Sequence, residues 1–106
     1  MSNSYRRYEI LLPRFLNDGT PVADDMMGDT IMELRQRFGA VSAESQVTHG
    51  QWQHEGDVYR DELVRIYLDV PDTTANREFF VLFKEQLKTR FQQIDIWMTT
   101  YPLEVL

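Results

Sequence analysis

Glu62-Leu63-Val64-Arg65-Ile66-Tyr67-Leu68-Asp69-Val70 decides the fold. Val64, Ile66, Leu68 and Val70 are aliphatic, and Arg65, Tyr67 and Asp69 alternate with them. Side chains on a strand point to opposite faces in turn, so the stretch reads as a strand with one dry and one wetter face. Its β-branched and aromatic content favours that reading, and Pro71-Asp72 ends it. Such a strand needs helices on one side only.

Outward from this strand, residues 43–53 form a second, more polar arm, with His54-Glu55-Gly56-Asp57 as a hairpin tip and residues 58–70 as the return. Val47 and Trp52 fall on opposite faces unless Gly50 marks a bulge, which brings both to one side. Residues 6–12 alternate as well: Tyr8, Ile10 and Leu12 against Arg7, Glu9 and Leu11, with Pro13 as the stop. Residues 14–22 hold Asn17-Asp18-Gly19 and read as a connecting loop.

The period changes over residues 23–38, where Met27, Ile31, Leu34 and Phe38 trace a helical stripe. Asp24 and Asp25 suit its positive end and Arg35 and Arg37 its negative end, Gly39 is a left-handed cap, and Gly28 weakens the first turn. A second helix, capped by Thr73 or Thr74, runs to Phe91; Phe79, Leu82, Phe83, Gln86, Leu87 and Phe91 form its buried stripe, with Phe80 at the margin. Residues 94–101 alternate again as a last strand, closed by Pro102, and the apolar Leu103-Glu104-Val105-Leu106 is expected to dock on the body.

The order strand, helix, strand, strand, helix, strand predicts a single α+β domain over residues 1–106. The expected arrangement is a ferredoxin-like βαββαβ sandwich, a four-stranded antiparallel sheet with two helices on one face and the first and third strands central.

A chain of 106 residues can bury one core without staples. It has no Cys, which excludes disulfides, thiolate catalysis and Cys-based zinc sites. The N-terminal residues lack the apolar run of a leader, and a cytoplasmic, acidic protein is the expectation. A formal charge of −6 argues against nucleic acid or an anionic membrane as partner.

If helices cover the aliphatic positions, the other sheet face carries Arg7, Glu9, Leu11, Arg65, Tyr67, Asp69, Asp95, Trp97, Thr99 and Tyr101. Leu11, Tyr67, Trp97 and Tyr101 then make an apolar patch of the kind that marks contact sites. The leading expectation is that a second copy of the chain, or the apolar C-terminal tail, covers this face, the second copy making a homo-oligomer with a dimer expected first. Next comes a pocket for a small aromatic or acidic ligand, with Arg7 or Arg65 on its acid group. Base stacking on Tyr67 and Trp97 ranks last, because two arginines face three acids there.

His49 and His54 stand an odd number of residues apart, on opposite faces of an unbroken strand, so no metal site is expected. The Asp24, Asp25 and Asp29 cluster is explained by a helix start. No Gly-rich phosphate loop or nucleophile elbow is present, no cofactor is implied, and an acid or base, if the protein is an enzyme, falls to His49, Asp69 or Asp95.

Gly50-Gln51-Trp52, then Gly56, Asp61-Glu62 and an aliphatic strand, with Phe83-Lys84 and Arg90-Phe91-Gln92-Gln93 later, resembles a small bacterial family of unknown function with a Gly-Gln-Trp hairpin. Gln92 stands where that family commonly has Gly. The resemblance spans residues 8–98 and implies a ferredoxin-like domain without an activity. Trp52 reads as the hairpin's packing anchor, and Gln51 as a cross-strand hydrogen-bonding residue. The sequence thus predicts a small binding or interaction domain, with an enzyme or metabolite carrier as the alternative.

Overall fold

The computed structural model describes residues 4–106, save for the side chains at positions 45, 46 and 60. The first three residues of the N-terminal stretch considered above lie outside the described residues. The elements are β1 (Tyr5–Pro13), α1 (Asp24–Phe38), β2 (Ser42–His54), β3 (Asp57–Pro71), α2 (Thr74–Arg90) and β4 (Met98–Leu103). The chain is a mixed α+β fold whose two helices lie against an antiparallel sheet ordered β2-β3-β1-β4.

The register places Ile10 opposite Ile66 and Leu12 opposite Val64, so the alternating aliphatics of both central strands share one face. Tyr8, Ile10, Leu12, Ile66, Leu68 and Val70 are buried there with Leu34 of α1 and Phe80, Phe83 and Leu87 of α2. Each such side chain contributes about 1.5–3 kcal/mol on burial. The Tyr8 ring stacks on Phe80 at 3.9 Å between centroids.

Helix α1 begins at Asp24 despite Gly28, because Leu34 and its half-buried neighbours Met27, Ile31 and Phe38 anchor its inner stripe. It ends on Gly39, whose φ of 89° is accessible mainly to glycine and whose N–H donates to the Arg35 carbonyl. Thr73 caps α2 by accepting from the Asn76 N–H at 3.1 Å.

The hairpin tip is a two-residue turn with φ of 52° at Glu55 and 85° at Gly56, both left-handed as a primed turn requires. Strand β1 pairs with β3 only as far as Leu63, opposite Pro13. Arg14 still donates its N–H to the Glu62 carbonyl at 2.9 Å, and from the Gly50–Asp61 pair to the His54–Asp57 pair β2 and β3 continue as a two-stranded ribbon.

Four expectations need correction, and the bulge considered as an alternative at Gly50 is absent: Gly50 pairs regularly with Asp61, and the register shift lies between Ala43 and Val47. Val47 and Trp52 therefore stay on opposite faces. The last strand begins at Met98, not at residue 94, after a turn in which Gln92 takes a φ of 52°. Pro102 lies inside β4 rather than closing it, which an edge strand tolerates. On α2, Phe80 is buried whereas Leu82 is 65% exposed, since two helical residues on from Phe80 is the far side. Finally, Val105 and Leu106 are exposed instead of docked.

Candidate functional site

The sheet face away from the helices divides into two regions. At one end a charged network crosses all four strands. Arg7 of β1 donates to both carboxylate oxygens of Asp69 on β3, at 2.7 and 3.0 Å. Arg65 of β3 pairs with Glu9 of β1 through two nitrogens and with Glu44 of β2. From β4, the Tyr101 hydroxyl donates to Glu9 at 2.9 Å. Tyr67 lies among them, with the guanidinium carbons of Arg7 and Arg65 at 4.7 and 4.4 Å from its ring centre.

These contacts fix the ionisation of the network. The hydrogen bond from Arg65 holds Glu9 below the usual glutamate value, outweighing the opposing effect of burial. Glu9 in turn raises Arg65, and the hydrogen bond to Asp69 raises Arg7. Both arginines already hold carboxylates in fork geometry. The region is thus neither the continuous apolar patch expected from Leu11, Tyr67, Trp97 and Tyr101 nor a vacant cationic site for an acid group.

At the other end is a groove of about 520 Å³. Its floor is Leu11 of β1 and Leu63 of β3, and its walls carry Trp52 of the ribbon and Trp97. Gly50 opens it, since a Cβ there would stand 3.1 Å from Leu63 Cδ1. Trp52 is held in place by stacking on Tyr59 at 4.5 Å and by donating its indole N–H to Asp61 at 2.6 Å. Trp97 precedes β4, yet its carbonyl accepts from the Leu11 N–H at 3.0 Å, which keeps it beside β1.

The remaining sequence-predicted residues scatter around this groove. Gln51 and Asp95 line it, Asp95 from the α2–β4 connection with its carboxylate 3.2 Å from Lys84 of α2. His49 is exposed and borders a separate cavity with Tyr59 and Glu62. Asp69 is engaged by Arg7. Among the described residues, no three His, Asp or Glu side chains converge as metal ligands, and no helix is long and apolar enough to cross a membrane.

The structure thus joins Leu11, Trp52 and Trp97 in one site and Arg7, Arg65, Tyr67 and Tyr101 in another. Sequence reasoning missed Asp61 and Leu63 as groove residues. The signal was present, because a two-residue turn at Glu55-Gly56 sets Trp52 opposite Tyr59 and Gly50 opposite Asp61.

No family model matches the chain, and no curated protein does. Solved structures share its fold. A phage SAM lyase in complex with S-methyl-5'-thioadenosine aligns at TM-score 0.67 and 12% identity, covering 99% of this chain and 92% of the lyase. CutA from Synechococcus elongatus PCC7942 aligns at TM-score 0.62 and 6% identity, over 98% of this chain and 81% of CutA. A Bacillus cereus protein related to NIF3 aligns at TM-score 0.61 and 14% identity, over 99% of this chain and 27% of that protein. At these identities the likeness concerns the fold alone.

Proposed function

We propose that the protein is a small-molecule binding domain whose groove takes a planar aromatic ligand of nucleoside size. The observation that carries this reading is the placement of both tryptophans of the chain, Trp52 and Trp97, on one apolar-floored groove of about 520 Å³. That volume falls within the roughly 300–1,000 Å³ usual for ligand pockets. Aromatic walls bind planar rings by stacking. The structure of the phage SAM lyase holding S-methyl-5'-thioadenosine supports a nucleoside as the first ligand to test. An acidic ligand on Arg7 or Arg65 is disfavoured, because each guanidinium is bonded to carboxylates of the same face. The sheet order, with both helices in one core, supports the ferredoxin-like arrangement, and the Gly50-Gln51-Trp52 hairpin supports kinship with the small bacterial family it resembles.

Because the chain has two tryptophans, its intrinsic fluorescence reports on the groove directly. Titration with S-methyl-5'-thioadenosine gives a saturable change in emission that Trp97→Ala abolishes. A flat titration to about 1 mM, which corresponds to binding weaker than about 4 kcal/mol, overturns the reading.

A second reading is self-association through the sheet face, favoured by the exposure of Trp97 at 65% and of Tyr101 on the same side. On that reading, replacing Tyr67 and Trp97 together by Ala moves the size-exclusion mass to that of one chain. An unchanged mass counts against it.

A further inference from the structure

The groove is aromatic on its walls and aliphatic on its floor, and the two are set by different means. Trp52 is fixed from behind, by stacking on Tyr59 at 4.5 Å and by donating its indole N–H to Asp61 at 2.6 Å. The floor depends on Gly50. Alternation puts position 50 on the same face of the ribbon as Trp52, so a side chain there would point into the groove. Leu63, diagonally across the β2–β3 pairing, takes that space instead: its Cδ1 stands 3.1 Å from where a Cβ on Gly50 would be, tighter than ordinary van der Waals contact. The backbone itself does not demand a glycine here, because positive φ among the described glycines is confined to Gly19, Gly39 and Gly56. Gly50 thus lets Leu63 lie flat across the ribbon, and Leu11, diagonal to Leu63 across β1 and β3, extends the same aliphatic surface.

A hydroxyl pressed onto leucine side chains gives up its water without a replacement partner. Each methylene-sized group buried there, in contrast, tightens binding about fourfold. From these observations we infer that Leu63, held low by Gly50, is the specificity-determining residue of the groove and selects a planar ring bearing a small apolar substituent, a methyl or a thioether, over one bearing a hydroxyl. Gly50 is a positioning residue that acts through Leu63. This inference rests on the groove reading and narrows its ligand class.

The test uses three probes that share a base and differ at one carbon: adenosine, 5'-deoxyadenosine and S-methyl-5'-thioadenosine, with a hydroxyl, a hydrogen and a methylthio group at the 5' position. Each is titrated into the full chain by calorimetry. The methylthio probe binds about tenfold more tightly than adenosine, and the deoxy probe falls between them. Gly50→Ala pushes Leu63 up into the groove, so the methylthio probe loses about fivefold while adenosine changes by less than about twofold. Adding Leu63→Val to Gly50→Ala removes the displaced Cδ atoms and restores the methylthio preference to within about twofold of that of the native chain. The ranking of the three probes on the native chain decides the selection whatever the variants do to folding. Equal binding of the three, or tighter binding of adenosine, overturns the apolar selection alone. An unchanged preference in Gly50→Ala, an equal loss for all probes, or a double variant without rescue removes Gly50 and Leu63 from their roles. Silence of all three probes overturns the groove reading and this inference with it.

Discussion

Replacing Arg65 by Met tests whether the charged end of the sheet face is a structural network rather than a ligand site. Arg65 and Glu9 are 22% and 20% exposed at the side chain, so water screens their pairing only in part. The substitution removes both hydrogen bonds to Glu9, the bond to Glu44 and the guanidinium against Tyr67. It leaves Glu9 with the Tyr101 hydroxyl as its remaining side-chain donor among the described residues. Hydrogen bonds to charged groups contribute about 1.5–3 kcal/mol net when sheltered, while exposed pairs fall to about 0–1 kcal/mol. A loss of about 2 kcal/mol follows for a pair between these limits. In a domain of this size each kcal/mol moves Tm by roughly 4–8 °C, so thermal unfolding falls by about 8–16 °C. The assay is urea unfolding of Arg65→Met, Glu9→Gln and the double variant. The cycle isolates a coupling of roughly 1 kcal/mol or more, while adenosine binding in the groove is unchanged in each variant. A coupling below about 0.3 kcal/mol, or loss of adenosine binding in Arg65→Met, refutes the division of the face into network and groove.

Three further outcomes follow from individual contacts. Because Arg65 holds Glu9 below its ordinary value, the stabilisation is complete above the unfolded-state value of about 4.3 and is lost as pH falls through the lower folded-state value; urea midpoints against pH show this acid slope, and Glu9→Gln flattens it. Tyr8 is buried with a hydroxyl that has no partner among the described residues, so Tyr8→Phe keeps stability within about 0.5 kcal/mol or raises it, and a loss above about 1 kcal/mol in chemical unfolding contradicts that. Thr73→Ala removes the cap of α2 and costs about 1 kcal/mol by the same measurement.

The alternation in β1 and β3 was legible because a strand's two faces are set by local geometry, and Tyr8, Ile10, Leu12, Ile66 and Leu68 are buried together as it implies. The helix ends were legible for a similar reason: Thr73 and Gly39 are local signals, and each sits at the cap it signals. Residues 94–97 misled because the alternation of Ile94, Asp95, Ile96 and Trp97 mimics a strand, while the segment is a connection that buries Ile96 and turns Asp95 toward Lys84. Gly50 misled for another reason. A glycine in a strand signals either a bulge or a close approach, and only the position of Leu63 across the pair tells which. The odd positions of the central strands were correctly assigned to the open face. Their partners were not readable, since Arg7 meets Asp69 and Arg65 meets Glu9 through pairings of distant residues. That hidden pairing changes a presumed apolar patch with available arginines into a network of paired charges beside an aromatic groove.

The most direct measurement is a nitrogen–proton correlation spectrum of the labelled protein titrated with adenosine. The chain supplies two indole N–H signals, from Trp52 and Trp97. The account predicts that both shift together with the backbone amides of Gly50 and Leu63, while the amides of Arg7 and Tyr67 stay in place. Shifts confined to Arg7 and Tyr67, or two indole signals that do not move, contradict it.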